Sequence, residues 1–310
     1  MSSSILISGL AIVRNAVNLN YPFLESIRSA LPICDEFVVV VGKSDDETLA
    51  RINSIDDPRL RIVETEWSHR VKPRHSLLAQ QTNIGLHLCR GTWCLYLQSN
   101  DVLHEDSLES LRGAMERHAE NADVEAMLLE RLTFWADYDN VLGCYPDRFK
   151  YTIRVVRPYV GTYSIRDAMS MAIFDGFSTR GRAPRAIDTG HYVYRYGFVR
   201  SASEFAAKAQ TAVHMQGLGE PDDSYLYTRH PLQHVRPFDG THPQAMAERI
   251  ANATLTFDRD DPRCRRKLTW KERRRRLETR LYERFGFPRW RDSRYDLIGE
   301  HLTKVRHGDL

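Results

Sequence analysis

The apolar positions in the first third of the chain switch between two periods. Ile5 to Val13 is a nearly continuous apolar run. From Tyr21 to Leu31 the apolar residues fall at helical spacing, with Leu24, Ile27 and Leu31 on one side. This predicts a strand followed by a helix. Glu36 to Val41 carries an unbroken valine run suited to a strand buried on both faces, and a polar turn at Lys43 to Thr48 leads into a helical stretch reaching about Ile55. Arg59 to Trp67 alternates like a strand, Ser76 to Leu88 is helical, and Thr92 to Gln98 is again apolar and strand-like. Asp106 to His118 predicts another helix and Ala126 to Trp135 a longer strand. Strands and helices in alternation imply an α/β fold, a mostly parallel sheet flanked by helices.

Beyond Trp135 the pattern loosens. Residues 136–200 mix short aromatic-rich strands with turns, Ala202 to Gln216 reads as helix, and Gly217 to Pro243 is rich in Gly, Pro, His and Asp, as an irregular layer over the body would be. The expected organisation is a domain over 1–216 and a C-terminal irregular and helical extension over 217–310 that packs on it. At 310 residues, 42% hydrophobic and 27% charged, the chain can bury a large core without staples and is too apolar for intrinsic disorder. No apolar run approaches the roughly 20 residues of a membrane span, and Met1-Ser2-Ser3-Ser4 places no basic side chain ahead of the first apolar stretch. Neither an integral membrane protein nor a secreted one is expected. The five cysteines are odd in number, form no Cys-x-x-Cys pair and read as buried free thiols of a reducing, cytoplasmic compartment.

In open α/β sheets ligands sit beyond the carboxyl ends of the strands. Four polar clusters follow the predicted strands at equivalent places: Arg14-Asn15, Ser44-Asp45-Asp46-Glu47-Thr48, Trp67-Ser68-His69-Arg70 and Ser99-Asn100-Asp101. Each alone is weak, because such residues also cap helices and fill turns; their recurrence is the signal. No glycine-rich dinucleotide fingerprint or phosphate loop is present, which disfavours a nicotinamide oxidoreductase or an ATPase. His230 and His234 stand four apart beside Pro231 in a turn-rich stretch, so a dedicated zinc site is not expected.

These clusters, in order, resemble the inverting glycosyltransferases of the GT-A (Rossmann-like) fold, especially the large family 2 group. Cys34-Asp35-Glu36 with the valine strand and Ser44 to Thr48 is similar to that family's "DE, strand, S-x-D-G-T" segment. Gln81 to Leu86 resembles its "R-N-x-G" helix, and Trp93 to Asp101 its "strand, then D-x-D" segment. A narrower branch is matched by Tyr163 to Ala168 ("S-Y-G-D-A"), Tyr194 to Arg200 ("x-H-Y-G-W-V-R") and Phe238 to Pro243 ("F-x-G-x-H-P"). The similarity covers roughly residues 5–250 and rests on the order of the motifs.

The resemblance implies transfer of a sugar, with inversion, from a nucleotide-sugar donor to a hydroxyl of a glycan, lipid-linked or small-molecule acceptor. The leaving diphosphate gains negative charge and needs positive charge placed against it. Enzymes of this kind mostly use Mg2+ or Mn2+ held by the D-x-D carboxylates and a later histidine. Here those positions read Asn100 and Asp101, and Arg195. A neutral amide and a cation weaken a hard-metal site, leaving Asp101 as the remaining metal ligand. An arginine fork, however, is itself a good diphosphate partner. The expectation is therefore that Arg195, aided by Arg200, replaces the cation in part or whole. Asp167 is the expected base, with a turn or cap aspartate as its structural reading. Asn15, Asp46 and Asn83 are expected near the base or ribose, although Asp46 and Asn15 equally suit a cap or turn. The alternative function is a non-catalytic nucleotide-sugar or glycan-binding protein on the same scaffold.

Residues 263–294 hold 14 basic and 4 acidic side chains, so the net charge of +3 is a local feature and the rest of the chain is acidic. From Leu268 to Phe285 a helix is predicted, with Trp270, Leu277, Leu281 and Phe285 on one side and Arg273 to Arg276 crowding the adjoining surface. The expected arrangement docks the apolar stripe on the body and leaves the arginines in water. Beside it stand peripheral contact with an anionic membrane at the inner face and nucleic-acid binding. No recognised nucleic-acid module accompanies the arginines, and no nucleic-acid partner is expected.

Overall fold

A computed structural model describes residues 6–68, 70, 76–143, 150–168, 170–176, 181–201, 204, 227, 229–265, 267–285 and 293–299. The predicted opening elements are present: β1 (Ile7–Val13), α1 (Phe23–Ala30), β2 (Glu36–Gly42), α2 (Thr48–Asn53), β3 (Leu60–Thr65), α3 (Ser76–Leu88) and β4 (Trp93–Gln98). β1 and β2 are buried along their whole length. Their alternate residues feed two cores: Ala11, Val13, Val39 and Val41 pack with Phe23 and Ile27 of α1, while Leu10, Ile12, Val38 and Val40 pack with Leu86 of α3. Period-two side chains between two helical layers are why both strands are apolar throughout. Gly85 lets α3 lie close on β1, since a Cβ there would meet Leu10 Cδ1 at 2.2 Å.

The chain continues through β5 (Asp101–Val102), α4 (Leu108–Arg117), β6 (Ala126–Thr133), β7 (Asn140–Leu142), β8 (Tyr151–Val156), β9 (Thr162–Ile165), β10 (Ser170–Ile173), β11 (Arg185–Arg195), β12 (Val235–Pro237), α5 (Ala247–Ala251), α6 (Trp270–Phe285) and β13 (Asp296–Leu297). The main sheet runs β13-β11-β6-β8-β4-β1-β2-β3, with β5 paired to β11. Pairings are parallel except where β8 inserts between β4 and β6 and where β5 meets β11. The fold is thus α/β with a mostly parallel, helix-flanked sheet, as the alternating pattern predicts. The loosened region after Trp135 supplies two full members of this sheet, β8 and β11. The predicted helix over Ala202 to Gln216 lies, apart from Glu204, outside the described residues, as does much of 217–243. In the later segment, β13 extends the sheet's edge beside β11, and β12 pairs with β7.

An aromatic cluster closes one end. Phe134 stacks on Tyr196 with centroids 4.5 Å apart and meets Phe238 edge-on at 4.9 Å. His242 sits 4.9 Å from Phe134, and its Nδ1 is 2.9 Å from the Tyr196 hydroxyl. It is a local structural contact within this cluster. Burial holds its imidazole down to about 4, whereas an unfolded histidine titrates near 6.5. The unfolded chain therefore takes up this proton first as pH falls. The stability due to neutral His242 is complete above about 6.5 and declines towards pH 4, by up to about 3 kcal/mol. Urea unfolding across that window should show the decline, and His242→Phe should flatten it.

Candidate active site

The loops after β1 and β2 are tied to each other. Asn15 adopts a left-handed backbone (φ 49°), which asparagine tolerates. Its N–H donates to Ser44 Oγ at 3.0 Å, and its Oδ1 accepts from the Asp45 N–H at 2.9 Å. Asp46 accepts from the N–H groups of Asn18 at 2.8 Å and Thr48 at 3.0 Å. Burial raises the Asp46 carboxyl, but hydrogen bonds from Thr48 and Asn18 outweigh it and leave the group below its ordinary range. Both residues lie at the carboxyl ends of their strands, with their polar atoms engaged in shaping the loops.

The end of β4 carries the densest chemistry. β5 pairs with the last residues of β11, setting Asp101 opposite Arg195. Asp101 has no exposed surface. Its Oδ2 accepts from Arg154 Nη2 at 2.5 Å and its Oδ1 from Arg195 Nη1 at 3.3 Å, while Arg195 Nη1 also donates to Gln98 Oε1 at 2.6 Å. Arg154 is the extra residue of a bulge in β8, lying between the Met127–Val155 and Leu128–Ile153 pairs. Its guanidinium lies 5.6 Å from the Tyr96 ring, and its Nε is buried without a hydrogen-bond partner. Burial, together with the charges of Arg195 and Arg154, pushes the Arg131 guanidinium well below its ordinary value, with Asp101 opposing. Among the described residues, one carboxylate, that of Asp101, is shared by the guanidinium groups of Arg154 and Arg195.

This donor set does not fit a hard divalent cation, which calls for several anionic oxygens. Both Asp101 oxygens are held by arginines, and no group of three His, Cys, Asp or Glu side chains gathers in ligand geometry among the described residues. Asp101, the expected metal ligand, is placed as the ion-pair partner of Arg154 and Arg195. Asn100, at the position where the resemblance has the first carboxylate, lies beside Asp101. It is buried beneath the turn after β11, where a Cβ on Gly197 would meet Asn100 Nδ2 at 2.3 Å.

Asp167 lies in the turn of the β9–β10 hairpin. Arg166 and Ala168 on either side have φ of 60° and 59°, a conformation costly for residues with a Cβ. Two ties hold it. Gln98 Nε2 donates to the Ala168 carbonyl at 3.4 Å, and Asn83 bonds both backbone groups of Ser164, at 3.0 and 2.7 Å. Asn83 is thus spent on seating the hairpin. The half-buried Asp167 carboxylate makes no hydrogen bond or ion pair among the described residues. A cavity of about 800 Å³ runs beside this turn, lined by Ser76, Asn83, His87, Ser164 and Arg166 among others.

The structure brings Asp101 and Arg195 together, with the Asp167 turn linked to them through Gln98. It does not bring Arg200 there. Arg200 is buried, donates to the carbonyls of Leu19 at 2.6 Å and Gly197 at 3.1 Å, and lies 4.6 Å from the Tyr21 ring. Sequence reasoning missed Gln98 and Arg154. The signal for Arg154 was a lone charge inside the apolar run Tyr151 to Val156.

No family model matches this chain, and no curated protein matches it. Among solved structures, S. aureus TarS (residues 1–349, also solved with UDP) is 13% identical, covering 72% of this chain and 70% of its own at a TM-score of 0.39. Glucosyl-3-phosphoglycerate synthase from Mycobacterium tuberculosis, in complex with Mn2+, UDP and glucosyl-3-phosphoglycerate, is 14% identical, covering 42% of this chain and 45% of its own at 0.29.

Proposed function

We propose that the chain is a GT-A-like glycosyltransferase that binds a nucleotide-sugar over the ends of β1, β2 and β4 and transfers the sugar, with inversion, to an acceptor hydroxyl. One observation carries the reading: the fully buried Asp101 shared between Arg154 and Arg195 at the carboxyl end of the sheet. A single anion between two guanidinium groups leaves positive charge where a diphosphate would sit. In a site closed to water such preset charge favours the departing phosphate oxygen over the intact bond. Arg195, bonded to Asp101 at only one nitrogen, has donors left for a phosphate oxygen.

Asp167 takes the proton of the acceptor hydroxyl as that oxygen attacks the anomeric carbon from the face opposite the diphosphate. The new carbon–oxygen bond forms as the bond to the phosphate oxygen breaks, and the nucleoside diphosphate leaves carrying the electron pair. Asn83 and Gln98 position the turn that presents Asp167. Arg200 holds the loop after β1. The acceptor is a glycan, a lipid-linked glycan or a small molecule.

Calorimetric titration of UDP- and GDP-sugars, with and without chelator, tests this. Arg195→Ala is expected to weaken donor binding about 10- to 100-fold, the worth of a charged hydrogen bond, while chelator changes it little. Binding abolished by chelator yet normal in Arg195→Ala would overturn the arginine's role. Donor binding without release of nucleoside diphosphate would instead identify a non-catalytic binding protein.

A further inference from the structure

The stripe predicted to dock α6 on the body does not dock. Trp270 is 72% exposed, Leu277 58% and Phe285 67%. At about 100° per residue these three and the half-buried Leu281 fall within an arc of about 80° along a helix about 24 Å long. Basic side chains border that arc. Arg273, Arg280 and Arg284 lie exposed along one side and the exposed Lys271, beside Glu278, along the other, whereas Glu272 falls on the opposite face. Arg274, inside the arc, is drawn to Glu278 at 2.7 Å. The helix start is capped by Thr269 and Glu272, whose side chain and backbone groups bond reciprocally. The segment is thus a well-begun helix with its apolar face in water, edged by cations.

We propose that α6 lies in the interface of an anionic phospholipid bilayer, its Trp270–Leu277–Phe285 stripe among the acyl chains and its flanking arginines at the headgroup phosphates. A low overall hydropathy, a tryptophan, leucine and phenylalanine face and arginine borders are what such interfacial helices require. Charge complementarity selects the bilayer as occupant: a second copy packed antiparallel would set its arginine border against the same border, and a neutral apolar partner would leave those charges unanswered. No helix among the described residues is long and apolar enough to cross a membrane, so the contact is peripheral. The inference is independent of the sugar-transfer reading.

Flotation of the full chain with phosphatidylcholine vesicles containing or lacking phosphatidylglycerol tests it. Binding is expected only to the anionic vesicles and falls as salt rises. The variant Trp270→Ser/Leu277→Ser/Phe285→Ser should lose at least about tenfold in partitioning with an unchanged melting temperature. Arg273→Gln/Arg280→Gln/Arg284→Gln should lose up to about 100-fold, since each basic side chain near the surface is worth about fivefold. No flotation at low salt would overturn the proposal, as would equal binding to neutral vesicles or a wild-type chain whose self-association disappears in the serine variant. Salt-sensitive binding to duplex DNA that the serine variant retains, with no flotation, would assign the arginines to nucleic acid instead.

Discussion

Asp101→Asn is expected to lower the unfolding free energy by about 3–5 kcal/mol, because it leaves buried guanidinium charge without its anion. Asp101 has no exposed surface, and Arg154, which meets it at 2.5 Å, is 3% exposed at the side chain. Water therefore cannot replace the lost carboxylate. The cost should fall on both arginines, since Arg195 also reaches Asp101, and nucleotide binding should change with stability. The double variant Asp101→Asn/Arg154→Met removes the buried charge with its partner. It should recover much of the loss, because replacing a buried pair by apolar groups is often close to neutral. Urea unfolding of the three proteins checks the ordering. An Asp101→Asn protein as stable as wild type would show that the carboxylate is not the counter-ion the geometry implies, and would return it to the role of an open ligand.

A second large effect is expected at Asp167. Asp167→Asn keeps the size and the hydrogen-bonding shape of the side chain but cannot accept the hydroxyl proton. The transfer rate should fall by about 10²- to 10⁴-fold, the usual worth of a positioned base. Donor affinity and melting temperature should hardly change, because the Asp167 carboxylate bonds to nothing among the described residues. Stability effects belong instead to its neighbours: Asn83, which clamps Ser164, and Gln98, which ties Ala168 to Arg195. Loss of rate through those two should be accompanied by looser hairpin geometry and a lower melting temperature. Full activity in Asp167→Asn would reduce Asp167 to a turn residue held between two left-handed neighbours.

What the sequence determined is local. The valine run, the helical spacing of α1 and α3 and the apolar β4 follow from side-chain period and burial on both faces, and these forces act within each segment. The same physics placed polar residues, Asp101 among them, at the strand ends, whereas Arg195 and Asp167 stood out only through the family resemblance. Only the tertiary structure decided what those residues touch, because charge compensation depends on partners far away in the chain. Arg154 is 53 residues from Asp101, and a single bulge in β8 brings it there. That contact sets the expected metal ligand against a buried guanidinium. Packing also drew Arg200 to the loop after β1 and Asn83 to the backbone of β9. The exposed face of α6 was written in the pattern of Trp270, Leu277 and Phe285, but a periodic stripe is equally consistent with docking on the body or facing outward. Which one holds depends on what the rest of the chain leaves uncovered.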